Sequence, residues 1–238
     1  MKFWQTAATF FLTLLFAAAV MLPERAGAAE KRVCELRETA NHLEISIKYP
    51  AFGIPAVDEA VKRWAEQLAA HFHSEFSAEA QAETHVPYQL QADYDVIRVP
   101  GGVLGILWRV YSYTAGTHGA LALVSACYLP ESGKAVVLQE LFGNPEAALG
   151  IISATARQDL EQKLGDMLQP ETLHTGTLPE PDNFSTFMLT ATALRIFFQP
   201  YQVAPWAAGP QHVDIPLEKL SPAAPRLRLW GKESPPER

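Results

Sequence analysis

Apolar and polar positions alternate along this chain in segments of two kinds. From Val33 to Tyr49 the period is two, with Leu43, Ile45 and Ile47 pointing one way and His42, Glu44, Ser46 and Lys48 the other. This predicts a single half-buried strand. Two prolines and Gly53 between Pro50 and Pro55 interrupt it, and the period then becomes helical. Val57, Val61, Trp64, Leu68, Phe72 and Phe76 recur at steps of three and four, opposite Glu59, Lys62, Arg63, Glu66 and Gln67. The spacing predicts an amphipathic helix lying on a sheet.

Strand signals follow in quick succession: Tyr88 to Val99, a Pro100-Gly101-Gly102 turn, Leu104 to Tyr113, Ala120 to Leu129, a turn at Glu131 to Lys134, then Ala135 to Leu138. Connections this short favour an antiparallel meander. A second helix is predicted from Asn144-Pro145, where Asn caps the free amides and Pro suits the first turn. It runs to about Leu168, with Leu149, Ile152, Ala156, Leu160, Leu164 and Met167 or Leu168 on one stripe. Pro170, Pro179 and Pro181 predict a loop after it. A hairpin, Phe187 to Thr190 with Leu194 to Gln199, and a short strand, Val213 to Ile215, complete the pattern, with residues after about Trp230 expected to be mobile. The fold class is therefore α+β, an antiparallel sheet with two main helices packed on it.

The first 28 residues carry a different signal. Lys2, an apolar stretch from Phe10 to Leu22, and Ala26, Gly27 and Ala28 compose a secretory leader with cleavage expected after Ala28. The alternative is an uncleaved anchor, because Phe3 to Leu22 is long enough to cross a bilayer. The expected organisation is a signal peptide at 1–28, one domain at 29–221 and a Pro-rich tail at 222–238. The destination is the periplasm or the outside of the cell. Export makes a disulfide between Cys34 and Cys127 the expected state of the only two cysteines. Loop-closure entropy would make such a bridge worth about 4 to 5 kcal/mol.

Composition narrows the chemistry. The formal charge is −7 with 48% hydrophobic and 19% charged residues, which suits a folded domain and excludes a disordered chain. No run of Lys or Arg offers phosphates a positive patch, so nucleic acid is not an expected partner. There is no G-x-S-x-G, no Walker loop and no H-E-x-x-H. His71 and His73 lie two apart on a helix and diverge by about 200°, so no metal or other cofactor is expected. Asp93 and Asp95 share one face of a strand and, with His118, supply the residues of a rival reading, an envelope hydrolase.

Two segments stand out. Tyr111-Ser112-Tyr113-Thr114-Ala115-Gly116-Thr117-His118-Gly119 ends one apolar strand, and Phe198-Gln199-Pro200-Tyr201-Gln202-Val203-Ala204-Pro205-Trp206-Ala207-Ala208-Gly209-Pro210 ends another. Both are positioned to line a surface groove. Together with Leu138-Gln139-Glu140-Leu141-Phe142 and Val213-x-Ile215-Pro216, they resemble an extracytoplasmic domain of unknown function. That domain is found in RsiV-type lysozyme-sensing anti-sigma factors and in the non-catalytic part of PdaC-type peptidoglycan deacetylases. Only Met1 and Lys2 precede the apolar stretch, so no sigma-binding segment is expected. The resemblance implies a free-standing envelope module without catalytic residues, binding a cell-wall glycan or a lysozyme-like protein. Its candidate ligand-binding residues are Tyr113, Thr114, His118, Tyr201 and Trp206. A third reading makes the Tyr201 and Trp206 edge an anchor for a partner enzyme.

Overall fold

The computed structural model describes residues 32–40, 42–75 and 87–232. The expected signal peptide, Phe76 and the residues beyond 232 lie outside them. Six strands form one sheet in the order β1-β2-β3-β4-β5-β6: Arg32–Ala40, Leu43–Ala51, Tyr88–Arg98, Leu104–Tyr113, Ala120–Tyr128 and Ala135–Val136. Three more, β7 (Phe187–Leu189), β8 (Ala193–Phe198) and β9 (Gln211–Pro216), form a second sheet. The helices are α1 (Pro55–Glu75), α2 (Pro145–Leu164) and the short α3 (Pro170–Gly176). The α+β class holds, and the sheets are mostly antiparallel.

Three elements depart from the sequence pattern. The first extended segment is a hairpin, β1 against β2, with His42 at φ 60 in the turn. Histidine is among the residues that tolerate this left-handed conformation. β2 and β3 run parallel, Ile45 opposite Leu90, because α1 lies in the connection between them and supplies the crossover a parallel pair needs. The segment after Pro170 is helical, proline serving as its first residue.

Burial follows from the period-two faces. Ile45, Ile47, Leu90, Ala92, Ile106 and Trp108 face α1, which buries Val57, Val61, Ala65, Ala69 and Phe72 against them. The helical stripe is thus rotated slightly from the expected one, and half-buried Trp64 stacks on Trp108 with ring centroids 3.9 Å apart. On the opposite face Leu107 and Leu123 meet Met188 of the second sheet. The other side of that second sheet packs Phe187, Leu189, Leu194, Ile196, Val213 and Ile215 among Ile152, Ala156 and Leu160 of α2. Four layers result: α1, six strands, three strands, α2. Asn144 caps α2 as expected, its side chain accepting from the Ala147 amide at 3.1 Å. The chain beyond 221 is also packed, with Ala223, Leu229 and Trp230 all buried.

Both cysteines are free, which corrects the expected disulfide. Cys34 is on β1 and Cys127 on β5, separated by three strands, or about 19 Å at normal strand spacing. They also occupy opposite faces: Cys34 pairs with Tyr49 on the α1 side, whereas Cys127 belongs to the core around α2. A disulfide needs Cα atoms within about 7 Å. Burial pushes the Cys127 thiol up to about 12, so it is inert while folded. Thiol labelling of native protein will modify Cys34 and spare Cys127 until denaturant is added, and a reductant will leave the melting temperature unchanged. A melting point that falls by several degrees on reduction would contradict this.

Candidate functional site

The two motif segments meet at one end of the sheets. The β4 to β5 turn carries His118 and the loop after β8 carries Tyr201 and Trp206. The rings of His118 and Trp206 lie 5.9 Å apart at 28°, and those of Trp206 and Tyr201 5.6 Å apart at 30°. Tyr201 is 58% and Trp206 40% exposed. Three rings from two distant stretches therefore form one surface cluster. Tyr113 is half-buried at the end of β4, opposite Gln89, and Thr114 is exposed. Neither makes a ring contact with the cluster.

The loop is held by side chains that the sequence did not single out. Gln199 acts as a missing strand residue for β5: its Oε1 accepts from the Leu123 amide at 2.8 Å, and its Nε2 donates to the Leu123 carbonyl at 2.7 Å. Gln202 accepts from the Gln199 amide and donates to the carbonyls of Gly176 and Asn183. Between the two glutamines Tyr201 sits at φ 69, a conformation that costs a non-glycine residue about 1–3 kcal/mol and persists only where its surroundings impose it. At Gly176 an added Cβ would stand 2.0 Å from the Gln202 carbonyl, so only glycine lets α3 approach this turn. The signal in the sequence was the pair of glutamines flanking Pro200-Tyr201.

The Nδ1 atom of His118 lies 2.9 Å from the Gly119 carbonyl. A carbonyl only accepts, so Nδ1 carries the hydrogen and Nε2 is the acceptor of the neutral ring. Neither motif segment contains an Asp, Glu, Lys or Arg. What the cluster presents is aromatic surface with a few hydrogen-bonding atoms and no formal charge. Among the described residues no group of three or more His, Cys, Asp or Glu is placed to hold a metal.

The two carboxylates of the hydrolase reading are engaged in ion pairs. Asp93 pairs with Lys48 at 2.9 Å and Asp95 with Arg109, both largely exposed on the face of the large sheet opposite α1. His71 pairs with Glu75 and His73 with Glu38.

Comparison with known proteins bears on both the fold and the motifs. Residues 139–218 match a family described as a protein of unknown function, DUF3298, a stretch that holds the second motif but not the first. The chain is 26% identical over 170 residues to the peptidoglycan-N-acetylmuramic acid deacetylase PdaC of Bacillus subtilis, covering 71% of this chain and 36% of PdaC. It thus spans about a third of that relative. It is 25% identical over 207 residues to the immunogenic protein MPT64 of Mycobacterium tuberculosis, covering 82% and 89% of the two chains. Crystal structures of two DUF3298 family proteins share the fold. One, from Bacteroides fragilis, has a TM-score of 0.61 at 16% identity, covering 85% of this chain and 96% of that one. The other, from Pseudomonas aeruginosa, has 0.62 at 18%, covering 84% and 94%. The anticipated resemblance to a domain of unknown function shared with PdaC-type proteins is borne out. Among the described residues no helix is long and apolar enough to cross a membrane.

Proposed function

We propose that this chain is an exported, non-enzymatic module of the cell envelope that binds cell-wall glycan at the surface formed by His118, Trp206 and Tyr201. The observation that carries the reading is the ring cluster itself. Aromatic side chains left in water at a turn are costly to keep exposed, and here the fold spends a strained Tyr201 backbone and two glutamine clamps to hold them in place. The apolar C–H faces of pyranose rings pack on such surfaces while their hydroxyls stay hydrated or reach acceptors such as His118 Nε2. The lack of charge in both segments favours this ligand over a basic protein such as lysozyme, which acidic side chains would engage. The similarity to PdaC, a peptidoglycan deacetylase, supports the same setting.

Calorimetric titration with soluble glycan fragments of peptidoglycan will show saturable binding that Trp206→Ala weakens at least about tenfold, as expected for a central aromatic anchor. Lysozyme is the second titrant. Binding of lysozyme alone, or glycan binding indifferent to Trp206→Ala, would overturn the assignment.

A further inference from the structure

We infer that the free edge of β1 joins a second copy of this chain, strand to antiparallel strand about a two-fold axis at Leu36, so that one sheet runs through both copies. The inference is independent of the glycan reading above.

β1 is the first strand of the large sheet, and among the described residues no strand pairs with its other side. It runs nine residues without glycine or proline, and its register against β2 is unbroken from Arg32 opposite Ala51 to Ala40 opposite Leu43. Of the usual devices that keep a bare edge from pairing, short length, proline, bulges and charge, only charge is present. The outward main-chain groups can be identified. The Tyr88 amide donates to the His42 carbonyl just ahead of β2, so even-numbered positions there address β3 and odd-numbered ones address β1. Each odd residue of β2 stands opposite an even one of β1, Ile47 opposite Leu36 and Ile45 opposite Glu38. Alternation then turns the N–H and C=O of Val33, Glu35, Arg37 and Thr39 outward.

Two copies pairing through this edge about a two-fold have few registers, and the charges choose among them. With the axis at Leu36 all nine residues of β1 are paired, and Glu35 of each copy falls opposite Arg37 of the other. Moving the axis to Glu35 or to Arg37 sets like charges directly opposite each other, which is destabilising. An axis between two residues sets outward groups against inward ones, and no ladder forms. Glu35 already accepts from Arg37 of its own strand at 2.8 Å, so the dimer aligns alternating charges along the face opposite α1. On the α1 side half-buried Leu36, packed against the core beneath that helix, meets Leu36 of the second copy. Exposed Val33 gains Thr39 of the second copy as a neighbour. Cys34 faces Glu38 of the second copy, so the native thiols stay apart and the association is non-covalent.

The test is sedimentation velocity of the purified protein from about 1 µM to about 1 mM, the range in which a small, transient interface associates. A reversible monomer to dimer equilibrium is expected. Glu35→Arg and Arg37→Glu will each weaken it at least about tenfold, because symmetry applies each change twice, and the two substitutions combined will restore it. Leu36→Cys in a Cys34→Ser background will form a disulfide-linked dimer on mild oxidation, since a non-hydrogen-bonded pair holds its Cα atoms about 4.5 Å apart. The parent, which has Cys34 alone on this strand, will not. A protein that stays monomeric across the range, a dimer indifferent to the single charge reversals, or one that the combined reversal fails to restore overturns the proposal. So does the absence of a cross-link at position 36, or cross-linking of the parent through Cys34.

Discussion

Replacing Trp230 by alanine will destabilise the domain by about 3–5 kcal/mol, the usual range for emptying a large aromatic site. Trp230 is 2% exposed, its ring is 6.2 Å from that of Phe142, and its Nε1 donates to the Ala193 carbonyl. It also ends the 3-10 turn Leu227–Trp230, whose preceding residue, Leu229, accepts the Val103 amide at 3.1 Å. Gly231 closes the turn at φ 63, where an added Cβ would stand 1.9 Å from the Pro100 carbonyl. This last segment therefore braces the β3 to β4 turn and the α2 core together. Urea denaturation followed by circular dichroism measures the loss, with exposed Arg228→Ala expected within about 0.5 kcal/mol of the parent. A Trp230→Ala loss below about 1 kcal/mol would show the segment to be dispensable.

Gln199→Leu will cost about 2–3 kcal/mol, because both main-chain groups of Leu123 lose their partners at once in a half-buried edge. Leucine preserves the volume and removes only the bonding. The change will also release the Tyr201 turn, since Gln202 accepts from the Gln199 amide on the same loop. Hydrogen exchange at the Leu123 amide, slow in the parent, will become fast, and glycan affinity will fall with it. Unchanged exchange at Leu123 would mean that water or the neighbouring chain replaces the side-chain amide without loss.

The strands whose faces differ in polarity were legible. Leu104–Tyr113 begins and ends where the apolar run does, and the Asn144-Pro145 signal places the start of α2. Alternation could not show that Val33 to Tyr49 folds back on itself, because the period of two continues across a turn that lacks glycine and proline. It was equally silent on direction. A helix between strands permits either a crossover or a return, and only the register, Ile45 opposite Leu90 beneath α1, gives the parallel β2 and β3 pair. The disulfide failed for a related reason: spacing in sequence carries no information on which face of the sheet a residue occupies.

The site divides along the same line. His118, Tyr201 and Trp206 were accessible because each lies in a motif ending an apolar strand, and strand ends on neighbouring sheets meet. Gln199 and Gln202 were not, since their roles depend on which backbone groups the fold brings beside them. Gln199 matters only because β5 has an open edge at Leu123.

The direct test of a glycan-binding surface is retention on purified cell-wall sacculi, stripped of protein, of the wild-type chain and of Trp206→Ala. The account predicts sedimentation of the wild type with the sacculi and recovery of the variant in the supernatant at unchanged melting temperature. Equal retention of both, or of neither, would contradict it.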